Sequence, residues 1–369
     1  MKKYKLLFVE ENVNEIRNLA DAIREFNGEH VDTHEITVVN APTLNDAYEK
    51  LKEEDFNLSI VDLKLRGDTD HAEGNDIIKK IKNESRIPII VYSDNLAKLD
   101  TELQNENDVY RIIERTSKPY SNLLDEIVKF LDTDITELFG AHGILINELD
   151  KILQQLFWKH IAHNWQLICK DVNSIDERKK IINRHLGSVL FESLSIKNDG
   201  FEKVHPVEVY YLPPTKEYYF CGDIIEKDGK RYIILNAACD MVLRGANVDA
   251  EYIVMAQLIP LKNKAEFFNY AMTQSEPNKN RVLPFIQNKK PRYHFLPIYD
   301  GMEGYLIDFE NISISKSLDR NSLTRICSIT ESFMKNIIFR FSAFYARPGQ
   351  PDFNNDYILE SIKNIPTTQ

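Results

Sequence analysis

Leu58-Ser59-Ile60-Val61-Asp62 decides the reading of the first third of the chain. A short apolar run that ends on a carboxylate is what a buried strand presents where it reaches the edge of a sheet. Working outward, similar runs recur at Lys5 to Val9, Ile36 to Val39, Ile87 to Tyr92 and Val109 to Ile113. Between and after them, Asn12 to Phe26, Leu44 to Glu53, Gly74 to Asn83, Leu96 to Asn105 and Ser121 to Leu131 carry helical spacing. Five strands alternating with five helices predict an α/β fold, a doubly wound five-stranded parallel sheet over residues 1–132, with ligands gathered at the carboxyl ends of the strands.

Those strand ends carry one chemistry. Glu10 and Glu11 follow the first strand, Asp62 the third, Ser93 the fourth, and Lys118-Pro119 the fifth. Magnesium takes one or two carboxylates together with waters and phosphate oxygens. The expected metal set is therefore Glu10, Glu11 and Asp62, with Lys64 beside them. A carboxylate so placed is a nucleophile toward phosphorus, and Asp62 would form an acyl phosphate. Ser93 would bind one phosphoryl oxygen and Lys118 would neutralise another. The plainer readings are a strand-end aspartate capping a turn, glutamates favoured by a helix dipole, and a solvated turn lysine.

Residues 1–132 resemble a response-regulator receiver domain of bacterial two-component systems. Val9-Glu10-Glu11, Ile60-Val61-Asp62, Val91-Tyr92-Ser93 and Ser117-Lys118-Pro119-Tyr120 stand where that family's motifs stand. The resemblance implies a flavodoxin-like receiver and Mg2+-dependent phosphoryl transfer from a sensor histidine kinase to Asp62. A rearrangement of the fourth and fifth strand regions would follow. Three features depart from the family: Glu10-Glu11 replaces two aspartates, Arg115 stands where the switch usually has an aromatic residue, and the loop from Leu63 to Gly74 is long. A non-phosphorylated pseudo-receiver scaffold is the alternative within the same fold.

The rest of the chain reads as a helical connector, residues 133–200, and a β-rich α+β C-terminal domain, residues 201–369. Thr136 to Cys169 is expected to form a long amphipathic helix, able to pair with a second copy in a homodimer or to join a core. Another helix is expected around Ile175 to Leu194. Period-two stretches follow at Val207 to Leu212, Tyr218 to Ile225, Tyr232 to Asn236, Tyr252 to Ile259, His294 to Ile298 and Tyr305 to Phe309. Asp228-Gly229 is a hairpin signal between two of them. Leu323 to Tyr345 reads as a closing helix, stopped by the prolines of Arg347-Pro348-Gly349-Gln350-Pro351.

Charge narrows the function classes. Of the net charge of -11, residues 1–132 hold 18 Lys and Arg against 28 Asp and Glu, leaving 28 against 29 for the remainder. Neither part has the basic excess of a nucleic-acid module. No apolar run of membrane-spanning length occurs, and Cys169, Cys221, Cys239 and Cys327 are widely spaced, so a cytoplasmic protein with free thiols is expected. Minor candidates are His160 with His163 as metal ligands or phosphate acceptors, a zinc site from Cys221, Cys239, His205 and His294, and an enzyme centre at Asp223, Cys239 and Asp240. Packing and buried thiols are the plainer readings of these residues. Tyr218 to Ile225, Leu235 to Asp240 and Phe344 to Asp352 faintly resemble a region of bacterial receiver proteins linked to phage defence. That likeness implies a standalone partner of a histidine kinase acting as a relay or phosphate buffer. The C-terminal domain is expected to be a non-DNA-binding interaction domain that contacts an effector protein, with an enzyme effector under receiver control as the alternative.

Overall fold

Successive side chains of a strand point to opposite faces of its sheet, and along Lys2–Val9 (β1) both faces are apolar: Leu6 and Phe8 on one, Leu7 and Val9 on the other, all fully buried. β1 lies inside a sheet whose two faces are both covered. In the computed structural model, which describes residues 1–65, 72–115, 120–195, 203–244, 247–316, 324–349 and 351–363, the chain divides into two units, residues 1–201 and 202–369.

In the first unit β1 is flanked by His34–Ala41 (β2) and Leu58–Val61 (β3), followed by Ile89–Ser93 (β4) and Tyr110–Glu114 (β5). All pairings are parallel, in the order β2-β1-β3-β4-β5. This is the flavodoxin-like winding, whose switch point lies between β1 and β3. Val13–Glu29 (α1) and Tyr120–Leu131 (α4) cover the Leu6 and Phe8 face through Leu19, Ile23, Leu123 and Ile127. Leu44–Glu53 (α2) and Glu73–Glu84 (α3) cover the other face through Ala47, Ile77, Ile78 and Ile81. Gly74 is required here, because a Cβ would lie 2.3 Å from the carbonyl oxygen of Asp62.

The helix expected from Leu96 to Asn105 is instead two 3-10 turns, Leu96–Lys98 and Thr101–Leu103. Leu99 and Leu103 are buried at helical spacing, which explains the expectation. An α-helix would need the Lys98 carbonyl and the Asp100 amide for its own ladder. Both are taken by the buried Asn75 side chain: Nδ2 donates to Lys98 O (2.9 Å) and to Asp100 Oδ1 (3.1 Å), and the Asp100 amide donates to Oδ1 (3.3 Å).

The long helix expected from Thr136 is also divided. Ile135–Phe139 (α5) stops at Gly140, and Ile144–Leu156 (α6) begins after Gly143, where a Cβ would lie 2.4 Å from Leu138 O. A π-helical turn, Phe157–Ile161, joins α6 to Ala162–Asp171 (α7), and Ile175–Ser195 (α8) follows. The π turn has a packing reason. Ile152, Leu156 and Ile161 are buried, spaced four and then five residues apart, and a five-residue turn keeps the third in line with the others.

The second unit is a seven-stranded antiparallel-paired sheet with helices, an α+β arrangement. Its strands, in chain order along the sequence, include Tyr210–Tyr211 (β6), Asp223–Lys227 (β7) and Lys230–Ile234 (β8). After a small two-stranded pair, Leu243–Arg244 (β9) with Asn247–Val248 (β10), come Ile253–Pro260 (β11), Tyr293–Leu296 (β12), Tyr305–Ser315 (β13) and Thr324–Ile329 (β14). The seven-strand order is β12-β13-β11-β8-β7-β14-β6. Asp228 and Gly229 both have positive φ and join β7 to β8 as the hairpin signal requires.

Four readings of this region are corrected. Thr324–Ile329 is a strand, so the closing helix starts at Glu331 (α11, Glu331–Tyr345). The strand pairs with β7 through Thr324, Arg325, Cys327 and Ser328, and Thr330 fixes the corner by donating its hydroxyl to Glu208 O. Tyr218 to Gly222 is not strand: Arg325 donates to the carbonyls of Lys216 and Tyr218, and Asp223 accepts from the Phe220 amide. Pro206–Val209 is a 3-10 turn capped by His205 and Glu208, leaving two residues for β6. Ala265–Thr273 (α9) and Glu276–Ile286 (α10), not foreseen, cover Leu306 through Phe267 and Phe285, while α11 packs Met334, Ile337 and Phe344 on the sheet core. Asn355–Lys363 (α12) ends the described chain. No helix among the described residues is long and apolar enough to cross a membrane.

Candidate functional site

The winding brings the carboxyl ends of β1, β3, β4 and β5 side by side, and each delivers one polar side chain to the edge. Glu10 comes one residue after β1, Asp62 one after β3, Ser93 at the end of β4, and Arg115 one after β5. Glu10, Asp62 and Ser93 are buried, a cluster that water does not solvate freely. Glu11 is partly exposed, and the Lys64 side chain is exposed. Lys118, with Thr116, Ser117 and Pro119, lies outside the described residues, as does the loop segment 66–71.

Every oxygen of the two buried carboxylates has an assigned neighbour. Glu10 Oε1 accepts from the Asn12 amide (2.8 Å), and Oε2 accepts from Arg115 Nη2 (2.6 Å). Asp62 Oδ1 accepts from the Leu63 amide (2.8 Å), and Oδ2 lies 3.5 Å from the same Arg115 Nη2. The Ser93 hydroxyl and the Lys64 backbone amide also donate to Asp62. Arg115 Nη2 further donates to Tyr92 O (3.0 Å), with the guanidinium carbon 5.2 Å from the Tyr92 ring centre.

Burial raises the Asp62 carboxyl above the usual aspartate range, against the pull of Ser93 and Arg115. Burial likewise raises Glu10, against the Asn12 amide and Arg115. For Arg115, burial opposes the charge, and Asp62 and Glu10 outweigh it. Among the described residues, the guanidinium is the cation that keeps two desolvated carboxylates in one pocket.

Oxygen donors of this type suit magnesium chemically. In this arrangement the Arg115 guanidinium stands between the carboxylates that an ion would bridge. The Glu10 and Asp62 oxygens that face each other already share a guanidinium nitrogen, and among the described residues no three carboxylate, histidine or cysteine side chains converge to hold a metal. The sequence reading noted Arg115 as a departure and missed its reach into the pocket. The available signal was a basic residue directly after the fifth strand in a markedly acidic domain.

The minor candidates separate. His160 stacks edge-on to His185 at 5.7 Å. His294 is buried and Cys239 exposed, and the residues proposed for zinc do not come together among the described residues. Asp223 is buried on β7, accepting from Ser328 and paired with Arg325 at 3.5 Å, where it anchors the 216–220 segment. The Cys239 thiol donates to Asp240, and that bond raises its pKa, which opposes thiolate formation.

No family model matches the sequence, and no curated protein matches it either. Among solved structures, a CheY-like receiver domain from Methanospirillum hungatei is 22% identical over 37% of this chain and 99% of its own, with a TM-score of 0.28. A Thermotoga maritima response regulator in complex with Mg2+ and BeF is 16% identical over 34% of this chain and 98% of its own, TM-score 0.25. The receiver domain of a Pseudomonas aeruginosa sensor histidine kinase, with magnesium in its active-site cleft, is 17% identical over 35% and 98%, TM-score 0.26. The fold assignment rests on strand order and helix placement.

Proposed function

We propose that the first unit accepts a phosphoryl group on Asp62 from a phosphohistidine of a sensor histidine kinase, and that the second unit passes the signal on without binding DNA. The observation that carries this reading is the position of Asp62: a buried carboxylate at the carboxyl end of the central strand, beside the β1/β3 switch point, between Glu10 and Ser93. One Asp62 oxygen attacks phosphorus, the bond from phosphorus to the donor imidazole breaks, and the imidazole leaves with that electron pair. The product is a mixed carboxylic–phosphoric anhydride. Ser93, which already donates to Asp62, is positioned to donate to a phosphoryl oxygen, and Arg115 brings a positive charge within reach. Lys118 keeps the neutralising role that the resemblance gives it.

The test is incubation of the full chain with acetyl phosphate and magnesium, read by intact mass and on phosphate-affinity gels. One labile phosphate per chain, absent from Asp62→Asn, supports acceptance. No Asp62-dependent adduct rejects it. A second reading, a pseudo-receiver scaffold that is never phosphorylated, draws on one observation: the guanidinium of Arg115 already compensates the pocket's charge.

A further inference from the structure

We propose that Arg115 is the resident cation of the acidic pocket, and that its guanidinium and a divalent ion occupy the pocket in alternation. One nitrogen, Arg115 Nη2, spans Glu10 Oε2 at 2.6 Å and Asp62 Oδ2 at 3.5 Å, the two oxygens a bridging ion would need. The remaining Glu10 and Asp62 oxygens are committed to backbone amides of Asn12 and Leu63. The three side chains are 11%, 1% and 10% exposed for Arg115, Glu10 and Asp62, so solvent screens little of the charge.

The arginine is not fastened there as a structural pair is. Its buried Nε has no hydrogen-bond partner among the described residues, whereas the Arg292 fork in the second unit gives Nε and Nη2 to both oxygens of Asp308 at 2.7 Å each. Arg115 meets Glu10 through a single nitrogen and shares that nitrogen with a backbone carbonyl. A group held mainly by charge, with one donor unpaired among the described residues, is one that a stronger cation can displace. Arg115 directly follows β5, so its withdrawal would tie the state of the pocket to the backbone where that strand ends. The inference rests on the phosphoryl-acceptor reading for its place in signalling, and its ion-binding content is measured without phosphate.

Mn2+ binding to the full chain, followed by the electron paramagnetic resonance of the free ion, tests it. Arg115→Gln, shown folded by circular dichroism, is expected to bind Mn2+ at least about tenfold more tightly than the unsubstituted protein. Arg115→Lys, which keeps the charge, is expected to stay near the unsubstituted value. Equal or weaker binding by folded Arg115→Gln overturns the proposal. If that variant does not fold, the Arg115 Nε–H resonance of the unsubstituted protein decides: a shift that saturates with Mg2+ upholds the exchange, and an unmoved resonance at saturating Mg2+ refutes it. Tighter Mn2+ binding with no Asp62 adduct in any variant upholds the exchange of cations and rejects phosphoryl acceptance. Unchanged Mn2+ binding with a normal adduct does the reverse.

Discussion

Replacing Asn75 by alanine is expected to release the segment from Leu96 to Asn105. Three hydrogen bonds converge on that one buried amide, from the Lys98 carbonyl, the Asp100 carboxylate and the Asp100 amide. A net contribution of about 1 kcal/mol for each gives a local loss of about 3 kcal/mol. Lys79, which binds Asp100 Oδ2 at 2.6 Å, is exposed enough to recover little of it. Asn75→Asp should cost more, since it removes both donated bonds and sets two carboxylates face to face. The assay is native-state hydrogen exchange of peptides spanning residues 96–105, where 3 kcal/mol corresponds to about a hundredfold loss of protection. Protection of that segment changed by less than about threefold would refute the reasoning, and would mean that burial of Leu99 and Leu103 alone holds the turns.

Two further outcomes are expected. Gly74→Ala forces a Cβ into the Asp62 carbonyl and should destabilise the first unit by roughly 1–3 kcal/mol while lowering the rate of Asp62 adduct formation, as read by urea titration and acetyl phosphate labelling; wild-type values in both would contradict the packing argument. His294 has its pKa lowered from 6.5 to about 3, first by burial and then by Arg340 nearby, so between those values the unfolded chain binds a proton that the folded chain does not. Its contribution is intact above pH ~6.5 and is lost as pH falls toward ~3, on the order of a few kcal/mol. The melting temperature of His294→Leu should therefore fall less on acidification than that of the parent, and parallel curves would count against it.

The first third was legible because each of its strands is a short apolar run and α1, α2 and α3 each show one apolar stripe. That Asp62, Glu10 and Ser93 share one edge of the sheet was read from strand ends alone. Arg115 was not, because the reach of a long side chain across two neighbouring strands has no periodic trace. Leu96 to Asn105 was misread because leucines four apart suit an α-helix and two 3-10 turns alike; the deciding residue, Asn75, lies far off in the chain. In the second unit, Thr324–Ile329 carried its strand signal in Ile326, Cys327 and Ile329 but adjoined a genuine helix, and the boundary was set by Thr330 bonding to Glu208, a contact between distant residues. α9 and α10 went unread; Pro284 sits inside the second of them, where a proline argues against a helix.

The surplus residue in the turn at Phe157–Ile161 acts on everything that follows it in the helix. With each residue worth about 100° of rotation, the side chains of Ala162–Asp171, both His163 and Trp165 among them, face a quarter-turn away from where unbroken winding would aim them. Trimming a single position from that turn would let ordinary winding resume with the inward row of aliphatic groups still aligned, whereas the same trim inside Ile144–Leu156 would throw Ile152 or Leu156 outward. The length of this one turn, rather than the identity of the aromatic residues in it, governs which way the distal half of the rod looks.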